Sequence, residues 1–332
     1  MEPTVHHTKF YYSRLPESKR RIYQCLLDGL SGGICTVTLR LSQEESRKIG
    51  TEELHDILVG VVFDNPHLFH LDTSLIHYSW MGRQVTVWMD QIYAAEEYQR
   101  NSRELSRLLA QITSRLNRCK TVKDKLWLIH SFLSGIMRYD DGGSSPRRQL
   151  EAHTIVGAVL YRSCVCDGYA KLFCLLCQIV GIPCAIIAGD STQPEHMGRH
   201  AWNLVKIDGR YYHVDATWDS NIGKDLYYLR SDDFFALEHQ WDRSIYPPAP
   251  ADYPRQEPLI TDAQALEACI FRCVEKGEST LLVQLSRAYR GLTDIQKQLN
   301  HILERHAFRA LPISGYEIRW YDRINYAEIT LK

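Results

Sequence analysis

Apolar positions recur at helical spacing in some stretches of the chain and alternate in others, and the two patterns predict its elements. Residues 16–30 place Ile22, Leu26 and Leu30 on one face, predicting an amphipathic helix that Gly32-Gly33 ends. Residues 34–41 alternate as a strand, 51–63 are helical, and 76–80 with 84–88 form a hairpin around Met81-Gly82-Arg83. This is a small α+β unit over residues 1–92, in which Phe10, Tyr11, Phe69, Trp80 and Trp88 are expected as core aromatics. A long charged helix over 94–118 carries Leu105, Leu108, Leu109, Ile112 and Leu116, and a second over 122–137 is expected to bury Trp127. The run Asp140-Asp141-Gly142-Gly143-Ser144-Ser145-Pro146 breaks the pattern and predicts a solvated connector at a candidate cleft rim.

The densest pattern spans residues 164–219. Cys166 precedes Asp167-Gly168, after which Tyr169, Leu172, Phe173, Leu176, Ile179 and Val180 keep helical spacing, so the cysteine opens a buried helix. Gly181 suits the left-handed position that closes a helix, and Pro183 cannot continue it. Residues 184–188 predict a buried strand, 189–199 a polar surface loop, 200–207 a strand, Asp208-Gly209 a tight hairpin turn and 210–214 the returning strand. Extending that register sets Trp202 opposite Asp215 and His200 opposite Thr217, which makes His200 and Asp215 diagonal neighbours roughly 7–8 Å apart at Cβ. A further strand of the same sheet follows at 226–229, and the prolines at 247, 248, 250, 254 and 258 mark a linker. The remainder predicts a helix over 262–276, a strand over 280–284, a helix over 294–306 and two strands split at Asp322-Arg323. The fold class is α+β, with domains expected at 1–92, 93–248 and 259–332.

Composition changes this picture little. A chain of 332 residues exceeds one ordinary core, and 39 Lys and Arg against 40 Asp and Glu give no basic surface for a nucleic acid or a membrane. The start, Met1-Glu2-Pro3-Thr4-Val5-His6-His7, has no apolar leader and no segment approaches spanning length, so a cytoplasmic location is expected for the chain as given. Ten cysteines without framework spacing read as reduced thiols. Cys174 and Cys177 form a C-x-x-C on an apolar helix, and Cys269 and Cys273 lie one helical turn apart; both pairs are expected as core packing.

Cys166, His200 and Asp215 are the residue types of a thiol nucleophile, its base and the orienter of that base. A cysteine at a helix N-terminus meets free N–H groups and the positive end of the dipole, which favour thiolate, and the same N–H groups suit an oxyanion. The segments Val165-Cys166-Asp167-Gly168-Tyr169-Ala170, His200-Ala201-Trp202-Asn203 and Val214-Asp215-Ala216-Thr217-Trp218-Asp219 resemble the three signature segments of the transglutaminase-like superfamily of papain-type thiol enzymes. The likeness extends more weakly upstream, to His153-Thr154 and Gly157-Ala158-Val159.

The resemblance implies a central core in which the helix bearing Cys166 packs on an antiparallel sheet bearing His200 and Asp215, with smaller α+β units on either side. It implies action on amide bonds of a peptide or protein substrate through an acyl-Cys166 intermediate, without cofactor or metal. Asp167 stands where the animal transglutaminases carry tryptophan, so the likeness is better to the microbial branch, and no acidic loop has calcium-ligand spacing. Without that aromatic wall, release to water, as in a protease or amidase, is expected over transfer to an amine.

His153 is a candidate oxyanion donor whose plainer reading is structural, Asn203 a candidate to hold backbone near His200, and Trp202 and Trp218 are expected as core aromatics. Two other readings are a zinc module of Cys164, Cys166, His196 and His200, which leaves Asp215 unexplained, and an inactive peptide-binding scaffold.

Overall fold

The structure is a computed structural model that describes residues 9–142, 145–194, 197–255, 257–289, 291–306 and 313–332. The chain divides into two compact units, Met1–Asp252 and Tyr253–Lys332.

The first unit begins with helices α1 (Phe10–Arg14) and α2 (Glu17–Leu30), strand β1 (Thr36–Arg40), helices α3 (Glu45–Lys48) and α4 (Thr51–Asp64), and strands β2 (Leu71–Met81) and β3 (Gln84–Gln91). The strands form an antiparallel sheet in the order β1-β3-β2, whose hairpin pairs Met81 with Gln84 as the sequence pattern predicts. Ile22 and Leu26 of α2 and Leu54 and Val61 of α4 join Val85 and Val87 of β3 in one apolar cluster. Phe69 is buried, but Trp80 is 38% exposed, because it lies on the half of β2 that leaves one face to water. This region has its own core cluster yet shares a unit with the residues that follow. The Tyr11 hydroxyl donates to Ile186 O at 2.5 Å, and Gln178 Nε2 donates to Asp64 O at 3.0 Å.

Next come α5 (Ala95–Leu116), α6 (Val122–Ile136), β4 (Arg138–Tyr139), α7 (Pro146–Ala152), a π-helical turn at Gly157–Tyr161 and β5 (Ser163–Cys164). Trp127 is 46% exposed, contrary to expectation: Leu126, Ile129 and Leu133 form the inward face of α6, and Trp127 lies beside that face. Helix α7 occupies part of the expected connector, with the Ser145 side chain accepting from Arg148 N and Pro146 in the first turn. Gly143 and Ser144 lie outside the described residues. β4 and β5 pair in parallel, setting Tyr139 beside Cys164.

Helix α8 (Cys166–Ile179) is buried from Gly168 onward and packs against β6 (Cys184–Ser191) and β7 (Gly198–Ile207). Strands β8 (Arg210–Val214), β9 (Tyr228–Arg230) and β10 (His239–Gln240) complete an antiparallel sheet in the order β10-β6-β7-β8-β9, with helices α9 (Ala216–Ile222) and α10 (Asp232–Phe235) between them. This is the expected α+β core, a cysteine-bearing helix on an antiparallel sheet. The β7–β8 turn is tight because Asp208 (φ 48°) and Gly209 (φ 83°) both adopt the left-handed conformation.

Two local expectations fail. β6 runs on to Ser191, so the surface loop shrinks to residues 192–197, of which Glu195 and His196 lie outside the described residues. The β7–β8 ladder ends at Asn203 opposite Val214, and residues 216–222 are helical instead of extended. The cause is local: the Asp215 carboxylate accepts from Thr217 N and Trp218 N, an N-cap that nucleates α9 where the ladder would have continued.

In the second unit, β11 (Leu259–Ile260), α11 (Ala263–Glu275), β12 (Thr280–Leu285), α12 (Leu292–His306), β13 (Tyr316–Tyr321) and β14 (Tyr326–Leu331) build a sheet in the order β11-β12-β14-β13. Asp262 caps α11 by accepting from Ala265 N, and Leu266, Ile270, Val283, Leu299 and Ile329 lie in the core. β11, parallel to β12, is too short to show a period in the sequence.

Among the described residues, no helix is long and apolar enough to cross a membrane. All ten cysteines are free, and Cys174, Cys177 and Cys273 are buried.

Candidate active site

Cys166 is the first residue of α8, and no side chain caps that helix start. The first-turn N–H groups therefore have no acceptor within the helix and carry the positive end of its dipole beside the thiol. His200 is the third residue of β7 and is buried. Its Nε2 donates to Asp215 Oδ2 at 2.6 Å, a contact made from the cap of α9 and much closer than a ladder diagonal. Asp215 leaves the other ring nitrogen, Nδ1, unused, and Cys166 is near enough to the ring to raise its pKa.

Electrostatics follow from this packing. Burial alone would lower the His200 pKa, but the Asp215 carboxylate, with Cys166 beside the ring, outweighs it and pushes it up to about 10. Burial would raise Asp215, yet His200 and His239 hold it well below the ordinary carboxylate range. Asp215 accepts four donors: Thr217 N at 3.0 Å and Trp218 N at 3.1 Å on Oδ1, and His200 and His239 on Oδ2.

The remaining sequence candidates take other places. Ring centroids of Trp202 and Trp218 stack at 5.9 and 5.3 Å from that of His200, and both indoles are buried. Asn203 Nδ2 donates to Ala170 O at 3.0 Å, so it ties β7 to α8 instead of holding backbone at His200. His153 is more than half exposed, and its Nδ1 meets Asp167 Oδ1 at 2.9 Å, so its nearest polar partner is the neighbour of Cys166. Lys171 Nζ donates to the other Asp167 oxygen at 3.1 Å and to His153 O at 2.7 Å. Cys164 is buried with its thiol pushed up by burial, and His196 lies outside the described residues, so the zinc grouping is not assembled among them.

Among the described residues, two groups bring ligand-type atoms within 4.8 Å of one another: His200, Asp215 and His239, and His130, Asp219 and Asp225. We read both as internal charge clusters, because in each the imidazole nitrogens face carboxylate oxygens as direct partners. His130 Nε2 lies 3.2 Å from an oxygen of Asp219 and of Asp225. Burial alone would depress His130, and the two carboxylates push it up to about 9, which binds α6 to α9.

Two neighbours of the site escaped the sequence reading. Tyr139, 45% exposed, stands near Cys166 through the β4–β5 pairing, and its phenol is pushed up to about 12 by burial and by Cys166, Asp167 and Asp215. His239 reaches Asp215 from an edge strand, 24 residues along the chain. Neither contact leaves a local spacing signal.

Comparison with known proteins agrees with the sequence motifs. The family model described as the transglutaminase-like superfamily matches residues 110–216. The kyphoscoliosis peptidases of Mus musculus and Homo sapiens are each 40% identical to this chain over 65 residues, which is 17% of this chain. That segment spans only 10% of those relatives' length. Among solved structures, one of a TGase is similar at 12% identity and a TM-score of 0.29, covering 55% of this chain and 50% of that one. The periplasmic domain of TgpA from Pseudomonas aeruginosa is similar at 13% identity and a TM-score of 0.26, covering 41% and 53%. Cys166, His200 and Asp215 all fall inside the matched stretch, and over residues 110–216 this chain carries a domain of the transglutaminase-like superfamily.

Proposed function

We propose that the protein is a thiol enzyme that cleaves amide bonds of a peptide or protein substrate through an acyl-Cys166 intermediate and releases the acyl group to water. The observation that carries this reading is the buried pair of His200 and Asp215 at 2.6 Å, with Cys166 close enough to the same imidazole to raise its pKa. In the first half-reaction the Cys166 proton passes to His200 Nδ1, and Sγ forms a bond to the substrate carbonyl carbon. The C–N bond then breaks as the amine leaves with the proton from His200. In the second half-reaction water gives a proton to Nδ1 and attacks the thioester, and Sγ departs. The first-turn N–H groups of α8 suit the carbonyl oxygen as it becomes negative.

Labelling tests the nucleophile. Iodoacetamide at neutral pH is expected to alkylate Cys166 faster than the other nine cysteines, five of which (Cys164, Cys174, Cys177, Cys184 and Cys273) are buried with thiols pushed up by their surroundings. Uniform labelling, read by peptide mass mapping, counts against the whole reading.

Release to water is favoured by what stands beside the thiol. Asp167 is paired with the buried Lys171 and with a solvent-exposed His153, a charged cluster where amine transfer calls for an apolar wall. A glutamine-containing peptide incubated with millimolar labelled amine is expected to give mainly free acid by mass spectrometry. Predominant amine adduct makes the protein an acyltransferase.

A further inference from the structure

His239 belongs to none of the three signature segments, yet its Nε2 lies 3.1 Å from Asp215 Oδ2, the oxygen that also accepts from His200. A carboxylate supplies no proton, so the hydrogen on this contact belongs to His239, which is therefore the Nε2–H tautomer. Its Nδ1 is buried without a hydrogen-bond partner among the described residues. The ring is enclosed by Trp218, Phe235 and Trp202, with centroids 4.1, 4.5 and 4.8 Å away.

We propose that His239 is a positioning residue of the thiol site. Its Nε2–H pins the Asp215 oxygen to which His200 donates and draws off part of the negative charge that holds the proton on His200. The inference rests on reading Cys166, His200 and Asp215 as nucleophile, base and orienter. Charge on a carboxylate oxygen is divided among its donors, so a second donor makes Asp215 a weaker base toward His200. Burial pushes His239 down to about 4 against the pull of Asp215, so it stays neutral and keeps this role through the neutral range.

The titratable groups facing the trio are Cys166 and Tyr169 from α8, Tyr139 from β4, His213 from β8, and Tyr227, with Asp167 behind Tyr139 and Asp219 behind Tyr227. The Tyr227 hydroxyl donates to Glu238, next to His239 in the chain. Tyr139, Tyr169 and Tyr227 are shifted upward, and burial lowers His213, so none of these four gains charge near neutrality.

The test follows the pH dependence of Cys166 alkylation by iodoacetamide, which needs no substrate. His239→Phe fills the same cage without the donor; it is expected to strengthen the hold of Asp215 on the His200 proton, favour the thiolate–imidazolium pair and move the acid limb down by about one pH unit. His239→Gln, which returns an N–H near the same place, is expected to move the limb back toward wild type. Superimposed wild-type and His239→Phe profiles, or a His239→Gln profile equal to that of His239→Phe, overturn the role of His239 and leave the thiol-enzyme reading standing. A wild-type Cys166 alkylated with the same pH profile as the half-buried Cys25, Cys35 and Cys119 overturns both. Imidazole nitrogen NMR of the wild-type protein supplies a readout free of variants: His239 is expected as a neutral Nε2–H ring at pH 7, and an Nδ1–H ring or an imidazolium overturns the proposal.

Discussion

Asp215→Asn is expected to lower turnover by about 10⁴-fold while the protein stays folded. The reason lies in the four donors around Asp215. Oδ1 faces two backbone N–H groups that cannot change, so an asparagine keeps its carbonyl there and continues to cap α9. Its NH2 group must then occupy the place of Oδ2, facing two imidazole nitrogens that both donate in the native protein. Each ring can accept from the amide only by moving its proton to Nδ1. For His200 that proton then points at Cys166, so the ring can no longer take the thiol proton. Alkylation of Cys166 at neutral pH is expected to slow in parallel, and an unaltered rate in a folded variant removes Asp215 from the mechanism.

A large effect on stability is expected at Gly168. Replacing glycine by alanine inside a helix ordinarily stabilises by up to about 1 kcal/mol. Here the added Cβ would fall 2.4 Å from Ala152 O and 2.7 Å from Cys164 Cβ. The oxygen is backbone and cannot rotate away, so α8 must shift, and Gly168→Ala is expected to cost about 1–3 kcal/mol of unfolding free energy. Gly135 on α6 provides the control, because nothing lies within 4 Å of a Cβ there. Gly135→Ala is expected to be neutral or slightly stabilising. Urea midpoints of the two variants check both, and equal midpoints show that the segment ahead of Cys166 is looser than its packing implies. Because Cys166 sits two residues before Gly168, the same shift is expected to slow alkylation.

The elements with a sustained period were legible in the sequence. The amphipathic α2, the long α5, the buried α8 and the Asp208-Gly209 hairpin each carry their signal within a few residues, and the structure places them within a residue or two of expectation. Competition between two local rules was harder to read. Extending the β7–β8 register through Asp215 ignored that an aspartate at the end of a strand can cap a helix, and capping won. Ser145-Pro146 is an N-cap followed by a first-turn proline, but a preceding run of Gly and Ser hid the start of α7. Apolarity alone turns Trp127 inward, but Leu126, Ile129 and Leu133 already fill that face. In the candidate site, the residue types at 166, 200 and 215 stand inside recognisable segments. His239 does not, since a contact made across 24 residues from a two-residue strand has neither period nor motif.

That placement has a consequence for heat and denaturant. The β10–β6 ladder is two residues long, His239 opposite Ser191 and Gln240 opposite Asp190, on the outer edge of the sheet, and one further backbone bond, Thr192 N to Glu238 O at 2.8 Å, extends it. Strand ends with so short a ladder open locally, well below the free energy needed to unfold the domain. Each such opening takes the Nε2–H of His239 away from Asp215 while α8 and β7 remain in place. If His239 holds the role proposed above, the competence of the site and the integrity of the sheet are separate quantities: on warming, Cys166 is expected to lose its tuned reactivity before circular dichroism records any loss of strand or helix.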